Sequence, residues 1–92
     1  MADSKLRLAL AKQFGVLLHE LRLKRGLSLS KLGRASGLDM TFIHNLEHGK
    51  RQPTLTTIFA LAKALGTRGS TILRKLEGSV SASTRKKRPG GS

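Results

Sequence analysis

The stretch from Ser28 to Gly49, SLSKLGRASGLDMTFIHNLEHG, predicts two short helices joined by a tight turn. Ser28 and Asp39 each stand before an amphipathic segment, and both residue types cap helices by accepting a hydrogen bond from a backbone N–H group. Gly37 and Gly49 follow those segments, and glycine ends helices because it adopts the left-handed conformation without strain. Four apolar side chains are predicted to point into the core: Leu32, Ala35, Ile43 and Leu46.

A longer helix is predicted before this stretch. Its apolar residues recur at steps of four, four, three and four, which places them on one helical face. This stripe consists of Leu6, Leu10, Phe14, Leu17 and Leu21. The helix is predicted to end before Gly26, where several basic residues occupy the last turn. Its start is predicted anywhere from Ser4 to Lys12, because Gly15 weakens the pattern.

Two more helices are predicted after the central stretch. Pro53 and Thr54 open the first, and Gly66 closes it. Its apolar stripe is the cleanest in the chain: Leu55, Ile58, Leu61, Ala62 and Leu65. The second is predicted from about Ser70 to Glu77 and buries Ile72, Leu73 and Leu76. Since neither β-alternation nor an internal repeat is present, the sequence predicts an all-α, compact five-helix bundle.

Composition limits both the size of the protein and the class of partner. The 92 residues are 38% hydrophobic, which suits one small domain with a single core. Lysine and arginine number 18 against 5 acidic residues, giving a formal net charge of +13. That charge indicates a polyanion, either nucleic acid or an anionic membrane surface. With zero cysteines, a disulfide scaffold, a cysteine-ligated metal site and a thiol nucleophile are excluded.

The sequence divides into a folded domain and a basic tail. The domain is predicted over residues 1–77, with its core at about 12–77, and the tail over residues 78–92, GSVSASTRKKRPGGS. A single apolar residue, Val80, cannot offset the entropy of ordering such a segment, so we expect disorder. A phosphate clamp and a solubilising end are both open interpretations of the tail. Neither a secretory signal nor a run long enough to span a bilayer is present, so a soluble protein of the cytoplasm is expected.

The central stretch and its flanks carry a family pattern. Three segments show it: LxLKRGLS at Leu21–Ser28, LGRASGLDMTFIHNLEHGKRQPT at Leu32–Thr54, and LAKALG at Leu61–Gly66. Together they resemble the five-helix domain of phage repressors, Cro proteins and their bacterial relatives, the XRE-type helix-turn-helix family. The segment Leu38–Ile43 looks most like small restriction–modification controller proteins. The resemblance implies a DNA-binding domain whose second helix of the pair, Asp39–His48, enters the major groove.

The resemblance also implies which side chains contact DNA bases. Residues at the exposed start of the recognition helix read base edges in this family, and here these are Met40 and Thr41. Asn45 lies one turn further on the same face, opposite the apolar residues. Asparagine can form a bidentate pair with adenine, threonine offers a hydroxyl or a methyl contact, and methionine offers an apolar contact. The alternative for each is an ordinary exposed helix residue, and the family pattern favours the base-reading role.

Other residues near this helix are candidates for DNA backbone contacts. Phe42 is large for a surface position and is predicted either to contact DNA or to pack against a neighbouring helix. His44 is assigned to a base or a phosphate. The phosphate contacts are assigned to Ser28, Ser30, Lys31, Lys50, Arg51 and Gln52. Leu29 stands where the family commonly has a glutamine, so that side-chain phosphate contact is not expected here.

The remaining polar residues predict a structural ion pair and no catalytic site. In the family, the residue equivalent to Glu47 pairs with an arginine of the first helix, here Arg22, and an acid facing phosphate would oppose DNA binding. His44 and His48 have the spacing of a metal chelate, but no third ligand lies nearby, so no metal or other cofactor is expected. Neither a nucleophilic triad nor a carboxylate pair is visible, so an enzyme is not expected.

A sequence-specific, homodimeric transcriptional regulator of double-stranded DNA is the function these features predict. The dimer contact is assigned to the C-terminal helix, through Ile72, Leu73 and Leu76. An antitoxin of a toxin–antitoxin pair and a co-activator that binds proteins are the alternatives. A membrane-active protein would need one long basic helix, whereas this chain is cut into short ones. A bacterial or phage source and association with the nucleoid follow from the resemblance alone.

Overall fold

Five α-helices form the structure, a computed structural model that describes residues 4–84. In this range no β-strand occurs, so the all-α prediction is confirmed. The helices are α1 (Ser4–Lys24), α2 (Leu29–Ser36), α3 (Met40–Glu47), α4 (Leu55–Ala64) and α5 (Gly69–Thr84).

The predicted helix boundaries of the central stretch follow from local hydrogen bonds. The Ser28 hydroxyl oxygen accepts from the backbone N–H of Lys31 at 3.0 Å, and an Asp39 carboxylate oxygen accepts from that of Phe42 at 3.2 Å. The Thr54 hydroxyl caps α4 in the same way. Four helices are followed by glycines with positive φ angles: Gly26, Gly37, Gly49 and Gly66. Both kinds of boundary signal are therefore confirmed.

A single apolar core joins the five helices. Helix α1 packs against α3 and α5, while α2 packs against α3 and α4. The largest fully buried side chains come from every helix: Phe14, Leu32, Ile43, Leu46, Leu61 and Ile72. Each such side chain contributes about 1.5–3 kcal/mol by leaving water, so this core accounts for most of the drive to fold.

Two glycines allow α3 and the turn before it to approach α1 and α2 closely. A Cβ atom added at Gly15 in α1 would lie 2.5 Å from the carbonyl oxygen of Leu46. One added at Gly33 in α2 would lie 2.9 Å from the carbonyl oxygen of Leu38, in the turn before α3. Both neighbours are backbone atoms that cannot rotate away. The position of α3 against α1 and α2 therefore depends on the absence of side chains at these two sites.

Several predictions about burial and helix length are wrong. Helix α5 continues to Thr84, seven residues beyond its predicted end, and Val80 is buried in the core. Disorder from Gly78 onward is thus contradicted as far as Thr84, and the rest of the predicted tail lies outside the described residues. Leu55 and Ala35 were expected inside, but both are exposed. Leu55 is the first residue of α4, and at a helix end the stripe no longer faces the core.

The predicted dimer contact also needs correction. Ile72 is 2% exposed and Leu76 is 6% exposed, because both pack inside the protomer with the α1 side chains Phe14 and Leu17 in the same cluster. Of the three residues assigned to a dimer contact, only Leu73 reaches the surface. An interface through Ile72 and Leu76 is therefore excluded in this fold.

Candidate nucleic-acid interface

The outer face of α3 presents the residues assigned to base reading. Ile43 and Leu46 are completely buried and fix the helix to the core. Met40 and Thr41 are exposed at the N-terminal end of α3, and Asn45 is partly exposed one turn later. The helix therefore offers one apolar and two hydrogen-bonding side chains on the surface opposite its anchors.

Phe42 packs within the protein, and the guanidinium group of Arg51 lies over its ring. It is partly buried against the core cluster, as one of the two sequence interpretations proposed. The Arg51 guanidinium carbon lies 5.3 Å from the Phe42 ring centroid, within the range of a cation–π contact. This contact places a positive charge close to the recognition helix. A DNA contact by the remaining exposed part of Phe42 stays a prediction.

The residues assigned to phosphate contacts lie in two groups around α3. One group stands at the start of α2, where Ser30 and Lys31 are exposed and the Ser28 hydroxyl already caps the helix. The other occupies the α3–α4 loop, where Lys50 and Arg51 are exposed. The structure brings both groups to the ends of the central motif.

Gln52, the last residue of the loop group, has an unpredicted partner. Its side-chain amide donates a hydrogen bond of 2.8 Å to the backbone carbonyl of Arg7 in α1. Only one of its two amide hydrogens is used, so a phosphate contact by the other remains possible in this geometry. The two residues are 45 positions apart in the sequence, so local sequence patterns could not predict this hydrogen bond.

The predicted ion pair between α1 and α3 is present. The Nε atom of Arg22 donates to one carboxylate oxygen of Glu47 at 2.6 Å, and its Nη2 atom donates to the other at 3.0 Å. Arg22 also donates from Nη1 to the Leu27 carbonyl at 2.9 Å, which ties the end of α1 to the loop before α2. The Glu47 side chain is 3% exposed, so this bidentate ion pair is almost completely shielded from solvent.

A histidine that the sequence analysis missed completes this pair. The Nδ1 atom of His19 lies 2.9 Å from Glu47 Oε1, and it must carry the hydrogen because a carboxylate oxygen only accepts. His19 stands three residues before Arg22, a spacing that puts both on one face of α1. That spacing is the signal that could have identified it.

The pKa shifts of the pair follow from these contacts. Burial alone would raise the pKa of Glu47, but hydrogen bonds from Arg22 and His19 together with the Arg22 charge outweigh it and hold the pKa below its usual value. The hydrogen bond to Glu47 raises the pKa of Arg22 further. Glu47 is therefore an ionised structural group that faces α1.

His44 and His48 interact with each other on the surface of α3. Their ring centroids lie 4.1 Å apart in a stacked arrangement. The Nδ1 atom of His48 donates to the His44 carbonyl at 2.8 Å, so that nitrogen is not available as a metal ligand. Between residues 4 and 84 no three histidine, aspartate or glutamate side chains group together as metal ligands do. In the same range, no helix is both long and apolar enough to cross a membrane.

Comparisons with known proteins agree with this geometry. The Helix-turn-helix family model matches residues 18–72, more than half of the chain. A curated relative from Sinorhizobium fredii, the uncharacterized HTH-type transcriptional regulator y4dJ, is 39% identical over 46 residues. That match covers 50% of this chain and 60% of the relative, so the chain spans less than two thirds of the relative's length.

Two solved structures share the fold. The restriction-modification controller protein C.AhdI from Aeromonas hydrophila is 38% identical, with a TM-score of 0.65 over 68% of this chain and 94% of that one. The controller protein C.Esp1396I, solved as a tetramer in complex with its natural 35-base-pair operator, is 22% identical, with a TM-score of 0.70 over 77% of this chain and 93% of that one. The second likeness concerns the fold alone. By its family match and its architecture, this chain belongs to the helix-turn-helix family.

Proposed function

We propose that this protein is a sequence-specific, double-stranded DNA-binding transcriptional regulator that acts as a homodimer. The observation that carries the proposal is the arrangement of α3. Its inner face is locked to the core and its one acid, Glu47, is held inward by Arg22, while its outer face presents Met40, Thr41 and Asn45. Such a helix can enter the major groove with Glu47 turned inward, while the other acid of the segment, Asp39, caps the helix by accepting from the Phe42 N–H.

In this proposal the exposed residues of α3 determine sequence specificity, and the cations around it provide affinity for the DNA backbone. Thr41 and Asn45 select the sequence, because hydroxyl and amide groups can pair with base edges, and Met40 contributes an apolar contact. Lys50 and Arg51 fix the register through phosphates, together with the residues at the start of α2. Leu29 cannot donate from its side chain and packs against the core, so phosphate binding at that end falls to Ser30 and Lys31.

We propose that the dimer forms through a surface at the junction of α4 and α5, here called the α4–α5 patch. It consists of Leu55, Phe59 and Leu73, which are 69%, 57% and 37% exposed. The Phe59 ring lies against Gly69, where an added Cβ would be only 2.9 Å from the ring, so this aromatic side chain is held between the two helices. Exposed apolar patches of this kind mark association surfaces.

The first experiment identifies the DNA sequence that the protein binds, by selection from random duplex DNA. Purified protein is incubated with random duplex DNA, and the bound fraction is sequenced over successive rounds. A pseudo-palindromic site is expected, with half-sites one helical turn apart, about 34–36 Å. An unenriched pool, or stronger binding to anionic vesicles than to duplex DNA, would overturn the proposal.

The salt dependence of binding provides a second measurement. The excess of cations should neutralise about 4–8 phosphates per dimer, and log K should fall with log salt at about −0.9 per contact. A slope near zero contradicts DNA binding through the phosphate groups. We place this activity in the cytoplasm of a bacterial or phage-infected cell, where the genome is accessible.

A further inference from the structure

The N-terminal part of α1 lies against the α3–α4 loop. The Gln52 amide bonds to the Arg7 carbonyl at 2.8 Å. Further along α1, a Cβ atom added at Gly49 would lie 3.4 Å from the Cα atom of Lys12. The loop therefore follows α1 from Lys12 back to Arg7. The two exposed cations at these positions, Arg7 and Lys12, are called the α1 ridge below.

The N-terminal part of α1 and the adjacent loop carry exposed charges of a single sign. From Ser4 to His19, α1 contains no acidic residue, and neither does the loop from His48 to Thr54. The loop adds the exposed cations Lys50 and Arg51. The groove between α1 and α5 differs because it contains an acidic residue, Glu20, beside Lys24, Arg74 and Lys75.

Helix stability does not explain the charges at the start of α1. The N-terminal end of a helix carries a partial positive charge, so acidic residues are favoured there and basic ones are not. The first turn of α1 has no acidic residue and contains basic ones, including Arg7. Positions where a sequence breaks such a local rule are often functional.

We infer that Arg7 and Lys12 bind DNA phosphates next to those held by Lys50 and Arg51. The inference rests on the proposed function, and it extends the binding surface from the α3–α4 loop onto α1. Gln52 acts as a positioning residue because its hydrogen bond to Arg7 holds α1 and the loop in register. The contacted strand is then held over a longer stretch than the recognition helix alone can reach.

The test compares two double variants that lose the same charge. Arg7→Gln with Lys12→Gln removes the α1 ridge, and Arg74→Gln with Lys75→Gln removes two exposed cations of α5. For the first variant, the slope of log K against log salt should flatten by about two units per bound protomer. Between 50 and 200 mM salt its affinity should then fall about tenfold less than that of the parent protein. The α5 variant should keep the parent slope.

Ethylation interference locates the contacts on the DNA. The parent protein and the α5 variant should be blocked by ethylation of phosphates flanking the half-site, and the α1-ridge variant should be insensitive there. An unchanged slope and an unchanged interference pattern for the α1-ridge variant overturn this inference while leaving the proposed function intact. A parent protein that binds no duplex DNA overturns the proposed function itself. Thermal unfolding of all three proteins verifies that each is folded.

Discussion

At the scale of single residues, Glu47 ties the recognition helix to the rest of the fold. Replacing it with alanine leaves Arg22 buried without its partner, and breaking such a pair costs about 3–5 kcal/mol. Glu47→Ala should therefore lower the free energy of unfolding by that amount in urea titrations. Glu77→Ala, at an exposed position of α5, is the control and should change it little. A Glu47→Ala variant that keeps its melting temperature but prefers a different DNA site would contradict the structural role.

The same residue predicts how stability depends on pH. The pKa of Glu47 is lower in the folded protein than its usual value, so the unfolded chain binds the proton more readily. The stabilisation is thus complete above the unfolded pKa, about 4.3, and is lost as pH falls through the folded value. Unfolding free energies of the parent and Glu47→Gln proteins should differ clearly at pH 6 and converge towards pH 3. A constant difference would show that ionisation of Glu47 does not contribute.

Specificity and affinity should separate between Asn45 and Lys50. A bidentate contact of Asn45 with adenine is worth about 1–3 kcal/mol at one base pair, so Asn45→Ala should lose affinity only where that base pair is present. Lys50→Ala should weaken binding to all sequences and flatten the salt slope by about one unit. Affinities for single-base variants of the selected site distinguish the two. A uniform loss for Asn45→Ala would make it a backbone contact.

Residue roles were predictable where they depend on local spacing. The caps Ser28 and Asp39 follow from residue type and position, and the structure has both. The partners of Gln52 and Phe42 could not be predicted in this way. The Gln52 bond joins residues 45 apart in the chain, and the contact of Arg51 with Phe42 depends on the path of a loop that has no periodic pattern.

At the scale of helices, the close approach of α1 to α3 predicts opposite effects on stability for alanine substitutions at Gly15 and Gly78. Alanine is normally better than glycine inside a helix by about 0.5–1 kcal/mol. At Gly78 nothing lies within 4 Å of an added Cβ, so Gly78→Ala should stabilise by that amount. At Gly15 the Cβ would meet the Leu46 carbonyl oxygen at 2.5 Å, so Gly15→Ala should destabilise by about 1–3 kcal/mol. Urea unfolding of both variants measures the difference, and stabilisation by both would refute the tight α1–α3 contact.

Helix ends were predictable where glycine or a capping side chain marks them, and were less so elsewhere. The C-terminal half of α5 consists mostly of glycine, serine and threonine, which have low helix propensity. Tertiary packing decides there, because Val80 enters the same cluster as Leu76 and extends the core by one more turn. At Leu55, by contrast, the sequence pattern predicts burial but the structure leaves the side chain exposed. The residue continues a perfect stripe, but it begins α4 and no other helix covers it.

At the scale of the whole molecule, burial inside the protomer determines which surface remains for a partner. The sequence stripe of α5 suggested that Ile72 and Leu76 were available, since a sequence does not reveal how much of a stripe the remaining helices cover. Helix α1 covers both, because it packs against α5 and its Phe14 and Leu17 lie in the same buried cluster. Among the described residues of α4 and α5, the large apolar side chains that stay exposed are those of the α4–α5 patch, to which Leu73 contributes from the edge of that stripe.

This geometry makes dimerisation and DNA binding separable. Leu73→Glu would place a charge within the proposed contact, which should cost about 2 kcal/mol, or about thirtyfold in the dimer dissociation constant. Sedimentation equilibrium should then find a monomer at concentrations where the parent is a dimer. Leu23→Glu, at a position of α1 that is 57% exposed and outside the α4–α5 patch, is the matched control and should stay dimeric.

On DNA, the same two variants should differ again, because a dimer gains affinity from holding two half-sites at once. Leu73→Glu should bind a duplex with one half-site as well as the parent does, since the recognition helix is untouched. It should lose most of the extra affinity that the parent shows for a duplex with two half-sites, and Leu23→Glu should retain it. If Leu73→Glu kept that extra affinity and still sedimented as a dimer, the two protomers would have to meet through another surface. The spacing between half-sites would then depend on that surface rather than on α4 and α5.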